Sequence, residues 1–236
     1  MSNIDPIENG FYYHIYNCGI NGEDLFIDDE DYNRFLSLYE KYIDPIAETY
    51  AWCLMKNHFH FTVQIKEGIV YRYSQSTGGT SDNQALKVLD QLPPADFNSL
   101  KWQTMKLSET IQGNKKLKTP SSSRHFSHLF STYTKYINAK YNRHGNLFER
   151  PFHRKKLKTD EYLRNVIIYI HNNPIHHGFV KELMEWQWSS FADYLSPYPT
   201  KFQEDIIGNW FNDIDNFKYI HNNWVDNSDM DEYLGL

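Results

Sequence analysis

Residues 54–65 read LMKNHFHFTVQI. At a period of two they separate into His58, His60, Thr62 and Gln64 on one side and Phe59, Phe61, Val63 and Ile65 on the other, the pattern of a half-buried strand. Side chains two apart on a strand point the same way, about 6.5–7 Å from one another. Two imidazoles so placed can converge on one metal ion. His-x-His alone is equally the pattern of surface or hydrogen-bonded core histidines, so a metal centre needs a third donor. Residues 160–180, DEYLRNVIIYIHNNPIHHGFV, offer one. Leu163, Val166, Ile167 and Ile170 form the apolar stripe of a helix, with Tyr162, Asn165, Tyr169 and Asn173 alongside it. Tyr169 and Asn173, four apart, lie one turn above the other. A metal held partly by the Asn173 amide oxygen would sit beside the Tyr169 hydroxyl, a nucleophile next to a Lewis acid. Taken singly, Tyr169 also reads as a core-edge tyrosine and Asn173 as a helix-terminal residue before proline.

These residues require elements to hold them. FYYHIYNCGI (11–20) reads as a strand that ends at Gly19 and the Asn21-Gly22 turn. A helix follows from about Asp29 to Tyr42, its acidic start suited to the positive end of the helix dipole. TYAWCLM (49–55) and HFHFTVQI (58–65) read as a pair of strands. Residues 67–122 hold STGGTSDN, a short helical stretch and GNKKLKTPSSS, the composition of an insertion. A helix from Ser123 to about Arg143 precedes a strand, LFERPFHRKKL (147–157), in which Pro151 marks an edge or bulge. The Tyr169 helix runs from Asp160 to about Asn172, opened by Thr159 and closed before Pro174. Strand, helix, strand, strand, helix, strand is the order of a ferredoxin-like split βαβ domain. The expected fold is therefore α+β, an antiparallel sheet with helices on one face, followed by an appended helix. Such a fold assigns no chemistry by itself.

Charge narrows the partners. The net charge of −6 is unevenly spread: residues 101–158 carry 14 basic and 2 acidic side chains, while residues 181–236 carry 3 and 11. The basic block contains Lys135, Lys140, Arg143, Arg150, Arg154, Lys155, Lys156 and Lys158, interleaved with aromatic residues such as Phe130, Tyr133, Phe148 and Phe152. Phosphate neutralisation and base stacking are the two components of single-strand binding, and a solvated face balancing acidic ends is the plainer alternative. Two cysteines, Cys18 and Cys53, suit buried thiols rather than a disulfide scaffold or a Cys-rich zinc site. With no apolar run of membrane-spanning length and no signal-peptide pattern at MSNIDPIENG, the expectation is a cytoplasmic protein without a membrane partner.

The motifs in combination point further. FYYHIYNCG, AWCLMKNHFH, NRHGNLFERPFH, the Y-I-x-x-N-P of Tyr169–Pro174, and W-x-W-S-S (Trp186, Trp188, Ser189, Ser190) occur in the order seen in the single-tyrosine HUH transposases. The chain most closely resembles their REP-associated branch, within the insertion-sequence-200-like transposases. The resemblance spans about Phe11–Tyr194, so it implies a catalytic domain over 1–194, with the insertion at about 67–122, and an acidic extension over 195–236. It implies that His58, His60 and Asn173 hold a divalent ion, Mg²⁺ or Mn²⁺, and that Tyr169 is the nucleophile. The activity implied is cleavage and strand transfer of single-stranded or hairpin DNA through a 5′-phosphotyrosine; whether two copies act as a homodimer is open. The sequence departs from relatives in having Asn173 where many have Gln and Lys56 where proline is more usual. The two long additions leave open whether the element is mobile or a domesticated REP-processing enzyme. Two other classes stay in view: a DNA-binding regulator without catalysis, and a hydrolase combining His58 and His60 with His171, His176 or His177 and an activated water. Tyr133 and Tyr136 are the alternative nucleophiles.

Overall fold

The computed structural model describes residues 6–72, 102–104 and 117–224. Its central element is a four-stranded antiparallel sheet of β1 (Tyr12–Cys18), β2 (Ala47–Leu54), β3 (His58–Ile65) and a later strand, His153–Leu157, in the order β2-β3-β1-His153–Leu157. This is the strand order of the ferredoxin-like expectation. Residues from the 67–122 segment form a second, three-stranded sheet: β4 (Ile69–Arg72), β5 (Trp102–Thr104) and β6 (Leu117–Lys118), with β4 in the middle. The helical stretch expected in this segment lies outside the described residues. The strand His153–Leu157 is accordingly β7.

Helix α1 (Asp29–Tyr42) has the bounds read from the sequence, because its start is locally encoded. The Asp28 carboxylate accepts from the Asp31 N–H, and the Asp31 carboxylate accepts from the Asp28 N–H, a reciprocal cap. Helix α2 (Ser122–Lys140) pairs with it. Both lie on the sheet face presented by Tyr13, Ile15, Phe59, Phe61 and Val63, where Phe35, Tyr39, Phe126, Phe130 and Tyr133 complete an aromatic core. Phe59 and Phe61 thus face inward, as their alternation predicts.

The opposite face is covered too. Helix α3 (Asp160–His176) packs on β2, β3 and β7, and beyond it lie a helical turn α4 (Phe191–Tyr194), α5 (Lys201–Phe211) and α6 (Ile214–Asn222). Val166, Ile167 and Ile170 of α3 join Ala51, Cys53 and Leu157 of the sheet and Ile206, Phe211 and Phe217 of the C-terminal helices in a second core. The helices-on-one-face expectation therefore describes α1 and α2, while α3 occupies the other side. The reading of β3 as half-buried is also corrected, since Thr62 is fully buried and His60 nearly so. A period of two identifies the apolar side of a strand; it does not reveal a second layer lying over the polar side.

Two boundaries differ most from expectation. Helix α3 continues through Pro174 to His176, because a proline near a helix end forfeits one backbone bond while the next turn is closed by His177 N–H to the Asn173 carbonyl (3.0 Å). β7 begins only at His153. Phe148 instead bridges Gly19, and the Arg150–Pro151 peptide is cis. Among the described residues no helix is long and apolar enough to cross a membrane.

The second core makes the C-terminal helices part of the folding unit. Phe217 has no exposed surface and its ring lies 4.9 Å from Phe211 and 5.3 Å from Tyr194. Phe217→Ala is expected to lower the unfolding free energy by about 3–5 kcal/mol, measured by urea denaturation.

Candidate metal and nucleophile site

The loop between β2 and β3 is fixed before its histidines are placed. Gly19 N–H donates to the Asn57 carbonyl (2.8 Å), and the N–H groups of Leu25 and Phe26 both donate to the Lys56 carbonyl (2.7 and 3.0 Å). A side chain at position 19 would bring its Cβ within 1.9 Å of the Glu23 carbonyl oxygen, so only glycine fits this approach. The outer edge of β2 is held by the W-x-W-S-S segment: Leu54 N–H donates to the Trp188 carbonyl (2.9 Å), Trp52 N–H to Ser190 Oγ (2.9 Å), and the Trp186 indole N–H to the Leu54 carbonyl (3.1 Å). That motif is an edge clamp for the strand leading into the histidines.

The structure brings the four principal site residues together. His58 and His60 point to the α3 side with ring centroids 5.2 Å apart, and the Tyr169 ring meets the His60 ring edge-on at 5.6 Å. Asn173, fully buried, places Oδ1 2.9 Å from His58 Nε2. The other ring nitrogen, His58 Nδ1, lies 2.8 Å from Asn57 Oδ1. Burial holds the His58 pKa down at about 4 and drives that of His60 well below its ordinary value. Both rings are therefore neutral near pH 7, and each has a single N–H.

That arithmetic is informative at His58. The one N–H of neutral His58 faces two amide oxygens, Asn57 Oδ1 at Nδ1 and Asn173 Oδ1 at Nε2, so one of the two contacts sets a lone pair against an acceptor. Such a contact needs either a shared cation or a 180° turn of one amide, and Asn173 Nδ2 has no hydrogen-bond partner among the described residues. Adjacent ligands of an octahedral ion with bonds of about 2.1 Å are themselves separated by about 3 Å. The donor set fits a hard or borderline divalent ion, with imidazole nitrogen and amide oxygen suited to Mn²⁺ and tolerated by Mg²⁺.

A residue the sequence reading missed completes the group. His14, with no exposed surface, sets Nε2 3.0 Å from His60 Nδ1. Its signal was present: Tyr12, His14, Tyr16 and Cys18 alternate on β1, and β1 pairs with β3 so that Tyr16 lies opposite His60 and His14 opposite Thr62. Read in register, His14 belongs to the histidine face.

The alternatives separate cleanly. Tyr133 donates to the Leu25 carbonyl (2.8 Å), and Tyr136 to Asp31 Oδ1 (3.3 Å), both on the α1–α2 side of the sheet, away from His58 and His60. Of the alternative third histidines, His171 is turned to Ser190 Oγ and His221 Nε2 (2.9 Å each), whereas His177 lies with its ring 4.9 Å from that of His58. Among the described residues no group of three His, Cys, Asp or Glu side chains is arranged to hold a metal.

The basic block is redistributed. Lys140 is surrounded by Asp28, Glu30 and Asp31 (2.8, 3.0 and 2.9 Å), Arg143 is paired with Glu23, and Lys156 with Glu8 (2.6 Å). These three expected DNA contacts are already engaged by carboxylates, which local sequence spacing does not disclose. Arg150 and Arg154 line a groove of about 570 Å³ with Ser123, Ser127, Ser131 and Thr134 of α2. Lys155 lies on the histidine side of β7, in register with His14. Lys135 and Lys158 are exposed.

No family model matches the chain. A Haemophilus influenzae protein, provisionally named a REP-associated tyrosine transposase, is 25% identical over 160 residues, which are 67% of this chain and 68% of that protein. A solved structure of a REP-associated tyrosine transposase bound to a REP hairpin superposes with a TM-score of 0.52 at 16% identity, covering 84% of this chain and 89% of the other. The chain is thus similar to REP-associated tyrosine transposases in sequence, and it shares the fold of one of them.

Buried neutral histidines make acid destabilising. A histidine whose folded pKa is depressed leaves the unfolded chain binding more protons below pH 6.5, so its contribution is intact above that value and lost as pH falls toward the folded pKa. Burial sets His14 at about 3, and His58 and His221 at about 4. Unfolding free energy should fall steeply between pH 6.5 and 4, by roughly 2 kcal/mol per such histidine at pH 5. Urea titrations across this range test the slope, and His221→Phe should flatten it.

Proposed function

We propose that the chain cleaves and rejoins single-stranded DNA at hairpin sequences, with Tyr169 as nucleophile and His58, His60 and Asn173 as holders of a Mg²⁺ or Mn²⁺ ion. The observation that carries this reading is the convergence of His58 Nε2 and Asn173 Oδ1 at 2.9 Å beside His60, with the Tyr169 ring against His60. The relatives' names support the substrate class, since one is a transposase structure with a REP hairpin bound. The regulator reading would leave this buried polar cluster without a purpose.

When bound, the ion would supply Lewis acidity to the scissile phosphate. The chain's own residues do the rest. The Tyr169 hydroxyl forms a bond to phosphorus as the bond from phosphorus to the 3′ oxygen breaks, and the phenolic proton is balanced by protonation of the departing 3′ oxygen. The phosphodiester becomes a 5′-phosphotyrosine with a free 3′-hydroxyl, and attack by a 3′-hydroxyl reverses the step without an external energy source. Asn173, one turn beyond Tyr169 on α3, ties the nucleophile's helix to the histidine strand, fixing the hydroxyl relative to the donor set. Arg150 and Arg154 on the α2 side and Lys155 on the histidine side place cations along both faces at the β7 edge for the phosphates.

Two outcomes are expected. Labelled hairpin oligonucleotides with Mn²⁺ should yield a denaturant-resistant protein–DNA adduct that Tyr169→Phe abolishes while hairpin binding persists; cleavage without adduct would favour water as nucleophile. In binding titrations, Arg150→Glu with Arg154→Glu should flatten the dependence of log K on log salt by about two phosphate contacts. Lys140→Gln and Arg143→Gln, already neutralised within the fold, should change that slope little.

A further inference from the structure

His14 is buried completely, away from the surface residues that any DNA would touch, and yet it is polar on both ring nitrogens. Nε2 lies 3.0 Å from His60 Nδ1, and Nδ1 has no hydrogen-bond partner among the described residues. The two rings are nearly coplanar, with an interplanar angle of 17° and centroids 5.1 Å apart. In-plane approach of two ring nitrogens is the geometry of an N–H to lone-pair hydrogen bond. Packing fixes this orientation: the His14 ring also stacks on Tyr16 at 4.8 Å, and Tyr16 on His153 at 4.9 Å.

Only two proton arrangements satisfy that bond. If His14 Nε2 donates, His60 Nδ1 accepts, and the single proton of neutral His60 sits on Nε2, where it blocks ligation. If His60 Nδ1 donates, His60 Nε2 keeps its lone pair, and the proton of His14 moves to the partnerless Nδ1. Metal-binding histidines generally hold their second N–H against an acceptor, which fixes the tautomer and raises ligand basicity. Asn57 Oδ1 stands at His58 Nδ1 as such an acceptor, and among the described residues His14 is the group that meets His60 Nδ1.

We propose that His14 is a positioning residue for the metal centre: by accepting the His60 Nδ1 proton it selects the tautomer that leaves His60 Nε2 open to the cation. The proposal rests on His58, His60 and Asn173 being the ligands. It gives the buried imidazole of β1 a role distinct from core packing, because a packing role needs only a ring of that shape. A phenyl ring would preserve the stack on Tyr16 and lose the acceptor.

The test measures metal binding by the full chain without DNA. Mn²⁺ affinity is followed by the electron paramagnetic resonance signal of the free ion, and the His60 tautomer by imidazole ¹⁵N shifts with Mg²⁺ or Zn²⁺ as a diamagnetic probe. His14→Phe should weaken Mn²⁺ binding about 10–100-fold with an unchanged circular dichroism spectrum. His14→Gln, whose amide oxygen can accept the same proton, should recover most of the loss. In the wild type, metal should drive His60 to the Nδ1–H form. Mn²⁺ binding by His14→Phe within twofold of wild type, while His58→Ala and His60→Ala abolish it, would overturn the role of His14 and leave the centre standing. Binding unaffected by His58→Ala and His60→Ala would overturn the centre itself. If His14→Phe does not fold, the wild-type shifts still decide, since an Nε2–H tautomer of His60 in the metal-loaded protein contradicts the proposal.

Discussion

The structure turns on one constraint: the polar face of β3 is buried. An imidazole in water can rely on solvent for both nitrogens, but one enclosed between a sheet and a helix must find its partners in the protein or forfeit about 1–3 kcal/mol for each group left unmade. The position of α3 over the sheet creates this demand, and Asn57, Asn173 and His14 are the groups that meet the two rings. The same enclosure keeps the rings neutral, which a metal ligand requires. It also forces Tyr169 against His60, because the helix must lie close enough to deliver Asn173.

Most of the scaffold was legible from sequence because its signals are local. The reciprocal cap at Asp28 and Asp31 defines the start of α1 to the residue. Alternation in LMKNHFHFTVQI separates the core side of β3 from the histidine side, and the i, i+4 spacing of Tyr169 and Asn173 places both on one stripe. The remainder depends on contacts between distant segments. Whether His60 is solvated depends on how helices a hundred residues later dock; whether Lys140 is available to phosphate depends on Asp28, Glu30 and Asp31 across an interhelical contact. His14 falls between these cases, since alternation on β1 locates its face, but only the register with β3 brings it to His60.

The W-x-W-S-S motif shows how a short stretch serves both layers. Ser190 Oγ accepts from Trp52 N–H on the edge of β2 and lies 2.9 Å from His171 Nε2 on α3, while His171 Nδ1 meets His221 of α6, whose Nδ1 lies 2.8 Å from the Phe217 carbonyl. The Tyr169 helix is thereby joined on one side to the sheet and on the other to the C-terminal helices. Its placement is over-determined, which the proposed role of the Tyr169 hydroxyl requires.

The position of β7 at the end of the sheet has a consequence apart from DNA. One border of the sheet, β2, is covered by residues 188–190, but among the described residues β7 has no neighbour on its outer side. An uncovered border is a template on which another chain can add a strand, and proteins discourage this with charged side chains, lysine above all. HRKKL, residues 153–157, is such a strand, and Lys158 follows it. Arg154, Lys155 and Lys158 would set like charges against one another if two copies aligned border to border. The residues suited to attracting a polyanion are thus also suited to protecting the fold from self-association and aggregation when no polyanion is present.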